Sequence, residues 1–289
     1  MSVAAALSAE LPGISPEVYG DADFKAIASL VYQEAGIVLP AGKVMLVYSR
    51  ISPLVRESGC GTFAAYVERL AHDPAQRSRT VSALTTNHTF FYREEHHFLH
   101  FAQTTRPALV NMLDAGKPVR IWSAGCSSGE ETWSLAMTLL GEDRLAGRKL
   151  AQRDLRILAS DIAPHALAKA EAARYDLDDL KPVPAALRKA WVQTAAGSAE
   201  MASEMRALVR FRTLNLLGTW PMKRPFDVIF CRNVMIYFDQ PTKERLVERF
   251  ARQLVPGGYL YIGHSERATG PAAALLESVG PTIYRRKPA

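Results

Sequence analysis

The sequence predicts an α/β protein in which a small all-helical domain precedes a larger domain built on a parallel sheet. Three observations carry that reading. From Asp23 to about Thr86 apolar residues recur at helical spacing; from Val119 onward short apolar runs alternate with helical segments; polar residues cluster just beyond those runs. The chain has 289 residues, enough for two domains on a prior of roughly 150 residues each. With 48% hydrophobic and 22% charged residues a disordered chain is not expected, and no stretch reaches the about 18 uncharged apolar residues of a membrane-spanning helix.

In the helical domain, Phe24, Ile27, Ala28 and Val31 define one helix, and Phe63, Val67 and Leu70 define another that starts after the cap Thr62. Between them Gly42 to Ser58 reads as helical with an interruption near Pro53, because proline removes one backbone donor. Lys43, Arg50, Arg56, Arg69, Arg77 and Arg79 outnumber Glu57, Glu68 and Asp73 by three charges, giving either a solvated surface or a face for an acidic partner. The boundaries read as 18–86 for this domain, 87–115 for a linker and connecting helix, and 116–289 for the sheet domain.

The sheet strands are expected at Val119 to Ser123, Leu155 to Ser160, Val209 to Thr213, Asp227 to Cys231, Tyr259 to Gly263 and Thr282 to Arg286. Helices are expected at Glu130 to Leu140, Pro164 to Ala173 and Thr242 to Leu254. In such sheets ligands sit beyond the carboxyl ends of the strands. Residues just after each strand are therefore the candidates.

The first strand runs into Gly125-Cys-Ser-Ser-Gly129-Glu130-Glu131, a small-residue loop that lets a ligand approach the backbone at a helix start. A nucleotide-triphosphate loop needs Lys followed by Ser or Thr after the second glycine, and the dinucleotide fingerprint needs three glycines; neither is present. Two acids at this point disfavour a phosphate and suit a ligand bearing an ammonium and a sulfonium, although either acid alone would also complement the helix dipole. Asp161 ends the second strand where ribose hydroxyls bind, or else caps the helix opening near Pro164. Asn215 and Asn233, after later strands, can bond an adenine, a methionine tail or nearby backbone.

Upstream lies Thr85-Thr-Asn87-His-Thr89-Phe-Phe-Tyr-Arg93-Glu-Glu-His-His97, a polar and aromatic cluster able to fold over a cofactor and exclude water. His96 and His100 share a helix face but lack a third ligand, so no metal site is read. Cys60, Cys126 and Cys231 are scattered and odd in number, as expected of reduced thiols. Met1–Glu10 has no basic flank and is not read as a signal; a cytoplasmic protein without membrane insertion is expected. The net charge of +6 favours an acidic partner.

Taken in order, Thr86 to Glu94, Ala124 to Glu131, Ala159 to Asp161, Phe226 to Asp239 and Leu254 to Glu266 resemble the motifs of the CheR family of chemotaxis receptor methyltransferases. The resemblance covers nearly the whole chain. It implies a Rossmann-like class I S-adenosylmethionine-dependent methyltransferase domain, an all-α amino-terminal domain, and a small antiparallel β-subdomain inserted at about 190–213. The implied reaction methylates glutamate side chains on the cytoplasmic domains of methyl-accepting chemoreceptors, with S-adenosylhomocysteine as co-product. Cofactor contacts fall on Asn87, Thr89, Arg93, Gly125, Glu130, Asp161, Asn215, Leu216, Arg232 and Asn233, with Glu130 ahead of Glu131.

Arg93 and Tyr237 are the expected catalytic residues, the first holding a carboxylate and the second orienting the acceptor oxygen or packing beside the methyl. Tyr92 and Trp133 stand where the family commonly has phenylalanine and tyrosine, both conservative in size. Trp191 to Arg212 is short with a single glycine, Gly197, so no tether to a receptor's carboxyl-terminal pentapeptide is expected. Nothing demands more than a monomer. The rival readings are a nicotinamide oxidoreductase on the same fold, and a non-catalytic module that senses S-adenosylmethionine or binds nucleic acid. No nucleic-acid motif supports the last.

Overall fold

A computed structural model describes residues 18–195 and 197–288; Met1–Glu10 lies outside the described residues. The chain divides into two compact units, one ending at Thr86 and also including Tyr237–Asp239, the other formed by Asn87–Ile236 and Gln240–Ala289.

The helical unit contains α1 (Asp21–Ala35), α2 (Val44–Ser58), α3 (Phe63–His72) and α4 (Pro74–Leu84). Their apolar stripes, including Phe24, Ile27, Val31, Val47, Ile51, Val55, Phe63, Tyr66 and Leu70, form its core. Thr62 caps α3 by accepting from the Ala65 N–H, and Asp73 caps α4 by accepting from the Gln76 N–H. One expectation fails: α2 runs unbroken through Pro53. Pro53 is exposed while Val47, Ile51 and Val55 are buried on the opposite face, so burial on both sides outweighs one missing hydrogen bond. Several of the basic side chains are also anchored to the unit. Arg50 donates to the Ala83 and Thr85 carbonyls, Arg77 to those of Leu70 and Ala71, Arg69 to that of Ser58, and Arg79 pairs with Glu57.

The second unit opens with α5 (Glu95–His100), which continues through a π-turn at Phe101–Thr105 into α6 (Arg106–Asp114). There follow β1 (Val119–Ala124), α7 (Glu130–Leu140), α8 (Arg144–Ala151), β2 (Leu155–Asp161), α9 (Pro164–Ala172) and β3 (Arg174–Asp176). Next come α10 (Ala185–Trp191), β4 (Val192–Ala195), β5 (Ser198–Met201), α11 (Ser203–Leu208) and β6 (Val209–Thr213). The chain ends with β7 (Phe226–Cys231), α12 (Gln240–Gln253), β8 (Leu254–Ile262), α13 (Ala272–Leu275), β9 (Leu276–Gly280) and β10 (Ile283–Arg286).

The main sheet has seven strands in the order β6-β2-β1-β7-β8-β10-β9, parallel from β6 to β8 and antiparallel beyond. Strand order reverses between β1 and β7, the place where open α/β sheets bind ligands. A separate three-stranded antiparallel sheet, β3-β5-β4, forms the insertion. Its strands begin at Arg174 and end at Met201, upstream of the expected 190–213, because Val209–Thr213 pairs with β2 at the edge of the main sheet.

Every residue of α7 is buried. Leu135, Met137, Leu139 and Leu140 supply the favourable term, about 1.5–3 kcal/mol for each large apolar side chain. The polar residues on α7 avoid a desolvation penalty by local bonding: Thr138 Oγ1 donates to the Ser134 carbonyl, Ser134 Oγ to that of Glu130, and Thr132 Oγ1 to Ser123 Oγ. The hydroxyl of Tyr92 is accommodated the same way, against Thr138 Oγ1 at 3.1 Å.

Candidate functional site

Parallel pairing aligns the carboxyl ends of the central strands: Ala124 lies opposite Ser160, Asp161 opposite Thr213, and Cys231 opposite Ile262. Register therefore delivers Gly125, Asp161, Asn215 and Asn233 to one rim of the sheet, although they are far apart in sequence.

The loop after β1 is fixed by backbone geometry. Gly125, Ser127 and Gly129 adopt left-handed conformations, and the Gly125 and Cys126 N–H groups both donate to the Ser160 carbonyl. The glycines serve a purpose that the sequence alone did not reveal. A Cβ on Gly125 would lie 2.3 Å from a Val234 methyl, and one on Gly129 would lie 2.7 Å from the Ala170 Cβ. The space a side chain would take at each glycine is filled by the protein itself.

Asp161 closes the loop onto β2. Its Oδ2 accepts from the Ser127 N–H at 2.8 Å and its Oδ1 from the Ala163 N–H at 2.9 Å, so the strand-end acid also anchors the entry to α9. Burial raises its pKa, opposed by those backbone bonds. Ser127 Oγ donates to the Asn87 carbonyl, and Asn87 Nδ2 lies 3.0 Å from His165 Nε2, which ties the upstream motif to the same rim. Thr89 is half-buried in that upstream loop.

The two acids of α7 have different partners. The two Glu130 carboxyl oxygens lie 3.0 and 2.7 Å from Ser128 Oγ, which donates between them, with Lys169 Nζ at 3.7 Å, and burial raises the Glu130 pKa. Glu131 accepts from Ser123 Oγ at 2.8 Å and lies 3.3 Å from Arg232 Nη1; burial raises its pKa against the pull of that guanidinium. After β6, Asn215 Oδ1 accepts from the Leu217 N–H and Leu216 is buried. Arg249 holds this turn by donating to the Leu216 and Gly218 carbonyls, at 2.8 and 2.6 Å, while its guanidinium sits 4.0 Å from the Trp220 ring centre.

Arg232 is 2% exposed and lies between Glu131 and Glu94, with a further hydrogen bond to the Arg93 carbonyl. Arg93 itself donates to the His88 carbonyl. Tyr92, Glu94, Ser127 and Asn233 are four of the six non-glycine residues described with positive φ. At about 1–2 kcal/mol each, these conformations persist only where surrounding contacts over-determine them, as at this rim. Tyr237, in the 3₁₀ turn Met235–Tyr237, groups with the helical unit, where its carbonyl accepts from the Val38 N–H at 2.8 Å.

Among the described residues no group of three potential metal ligands stands together. His96 and His100, expected to be ordinary, face the Pro281 carbonyl and the Tyr261 hydroxyl, whereas His97 Nε2 pairs with Thr282 Oγ1 and its Nδ1 lies 3.4 Å from Glu94 without a hydrogen bond. The donor set fits S-adenosylmethionine. An acid at the β2 end suits ribose hydroxyls, buried acids suit the cationic groups, and a guanidinium suits the amino-acid carboxylate.

The family profile described as the CheR methyltransferase SAM-binding domain matches residues 87–282, and the CheR methyltransferase all-alpha domain matches residues 22–85. The chain belongs to the CheR methyltransferase family. A probable chemotaxis protein methyltransferase of Rhizobium etli is 42% identical over 89% of this chain and 96% of its own length. Chemotaxis protein methyltransferase 2 of Pseudomonas aeruginosa is 41% identical over 92% of this chain and 93% of that one. The chemotaxis protein methyltransferase of Escherichia coli is 38% identical over 85% and 84%. S-adenosylmethionine is thus the cofactor of this CheR domain.

Sequence reasoning missed the roles of Glu94, Glu131 and Glu266. Glu266 links the end of β8 to the β7 loop by accepting from the Gly263 and Met235 N–H groups at 2.6 and 2.8 Å. A signal was present: charged residues embedded in aromatic and apolar motifs are buried, and buried charges must be paired.

Proposed function

We propose that this CheR-family protein transfers a methyl group from S-adenosylmethionine to glutamate side chains on the cytoplasmic helices of chemoreceptors, giving glutamyl 5-O-methyl esters in chemotactic adaptation. The observation that carries the reading is the convergence of Glu130, Asp161, Asn215, Arg232 and Asn233 on one rim of the sheet. The relatives named above, all chemotaxis protein methyltransferases, support the substrate class.

When bound, S-adenosylmethionine supplies an electrophilic methyl on a sulfonium and leaves as S-adenosylhomocysteine. A glutamate carboxyl titrates near 4.3 and is ionised at neutral pH, so no general base is required. The protein's residues align and desolvate. In this reading Asp161 takes the ribose hydroxyls, Glu130 the cationic end, Asn215 and Leu216 the adenine, and Asn87, Thr89, Arg232 and Asn233 the remaining cofactor contacts. The Gly125 turn sets the path of the backbone past them.

Methyl transfer neutralises charge, so strong stabilisation of the separated ions would slow it, and alignment is the main contribution. Arg93 holds a carboxylate and Tyr237 orients the acceptor oxygen or packs against the methyl. The test incubates the protein with methyl-labelled cofactor and receptor-rich membranes, then releases methanol with base. Base-labile methanol is expected, and its loss of about tenfold or more in Arg93→Ala and Tyr237→Phe, with folding retained, supports their roles. Cofactor binding without methanol would instead indicate a non-catalytic sensor.

A further inference from the structure

Glu94 precedes α5 from a left-handed backbone, φ 56° and ψ 63°, and its side chain is 11% exposed. Its Oε1 accepts from Asn233 Nδ2 at 3.1 Å, from the His264 N–H at 3.2 Å and from His264 Nδ1 at 2.9 Å. Its Oε2 lies 3.4 Å from Arg232 Nη2 and 3.4 Å from His97 Nδ1. Burial pushes this carboxyl up, but Arg232 and the bonds from His264 and Asn233 outweigh burial and hold it at about 2. One carboxylate therefore gathers the ends of β7 and β8 and the start of α5.

The geometry points to Glu94 as a positioning residue for methyl transfer, one that fixes the Arg232–Asn233 turn and the His264 side chain and so sets cofactor affinity through them. The inference rests on the reading of Arg232 and Asn233 as cofactor contacts. The chemistry of its neighbours makes the role specific to a carboxylate. Asn233 Nδ2, the His264 N–H and the Arg232 guanidinium are obligate donors. A glutamine that points its NH₂ at Asn233 and His264 sets donors against donors, and one that points it at Arg232 gives up the ion pair and keeps only the His97 Nδ1 as a neighbouring acceptor. Glu94→Gln is nearly identical in size but cannot hold both sides.

The test measures S-adenosylhomocysteine binding by calorimetry on the full chain carrying Glu94→Gln, Asn233→Ala or both, with ligand-free melting temperatures as a check on folding. Glu94→Gln is expected to weaken binding about tenfold or more while the fold melts cooperatively. The double variant should bind more tightly than the product of the two single losses predicts, because both act on one turn. If Glu94→Gln does not fold, Glu94→Asp, which keeps the charge and shortens its reach, is expected to show the same loss and the same coupling. Unchanged binding in the folded Glu94 variant, or strictly multiplicative losses, overturns the inference while leaving the cofactor assignment intact. Unchanged binding in Asn233→Ala overturns the assignment and the inference with it.

Discussion

Substituting Gly129 by alanine separates two reasons for a glycine at the start of α7. The backbone there has φ +95°, and an added Cβ would meet the Ala170 Cβ at 2.7 Å, the Tyr175 hydroxyl at 2.8 Å and the Ala170 Cα at 3.0 Å. The left-handed conformation costs a non-glycine residue about 1–2 kcal/mol. Collision with the buried face of α9 adds about 1–3 kcal/mol of overpacking. Gly129→Ala is therefore expected to destabilise the methyltransferase unit by about 2–5 kcal/mol. Gly116 is the internal reference: φ is +74° but nothing lies within 4 Å of the position a Cβ would take, so Gly116→Ala should show the conformational part alone. All four tryptophans, Trp122, Trp133, Trp191 and Trp220, belong to this unit, so urea unfolding followed by their fluorescence reports on it. The displaced Tyr175 hydroxyl donates to the Ser128 carbonyl at 2.7 Å, and Ser128 holds Glu130, so S-adenosylhomocysteine affinity should fall as well. A loss in Gly129→Ala within about 0.5 kcal/mol of that in Gly116→Ala would refute the packing argument.

Arg249→Met removes two hydrogen bonds to the Leu216–Gly218 turn and the stack on Trp220; cofactor affinity should drop roughly fivefold or more by calorimetry, and an unchanged affinity would detach this clamp from the site. Burial, then Arg232 and His96, lower the His97 pKa to about 3, below the roughly 6.5 of an unfolded imidazole. The unfolded chain therefore takes the proton first: this contribution is complete above pH of about 6.5 and declines as pH falls toward 3, by up to about 1.4 kcal/mol per pH unit. Glu94, depressed to about 2, adds a loss of the same sign at lower pH, whereas the raised Asp161 and Glu131 act oppositely. Urea midpoints between pH 7 and 5 should fall less steeply in His97→Gln than in the parent, and identical slopes would exclude a buried neutral His97.

The chain by itself determined six of the seven strands of the main sheet and the residues that end them. Period-two and period-3.6 patterns respond to local burial, so β6 was placed at Val209–Thr213 and α7 at Glu130–Leu140 from sequence alone. Asp161, Asn215 and Asn233 were legible as rim residues because each stands at or just after the carboxyl end of a parallel strand. β9 was not, since Leu276–Gly280 is a half-exposed edge strand with little apolar signal. Tertiary structure alone decided which charges meet. Whether Glu131 faces a cofactor or Arg232, whether Gly129 leaves room or fills it, and whether Glu94 is solvated or buried among donors depend on segments far apart in the chain. Local periodicity carries no term for such pairings; the register of the strands does.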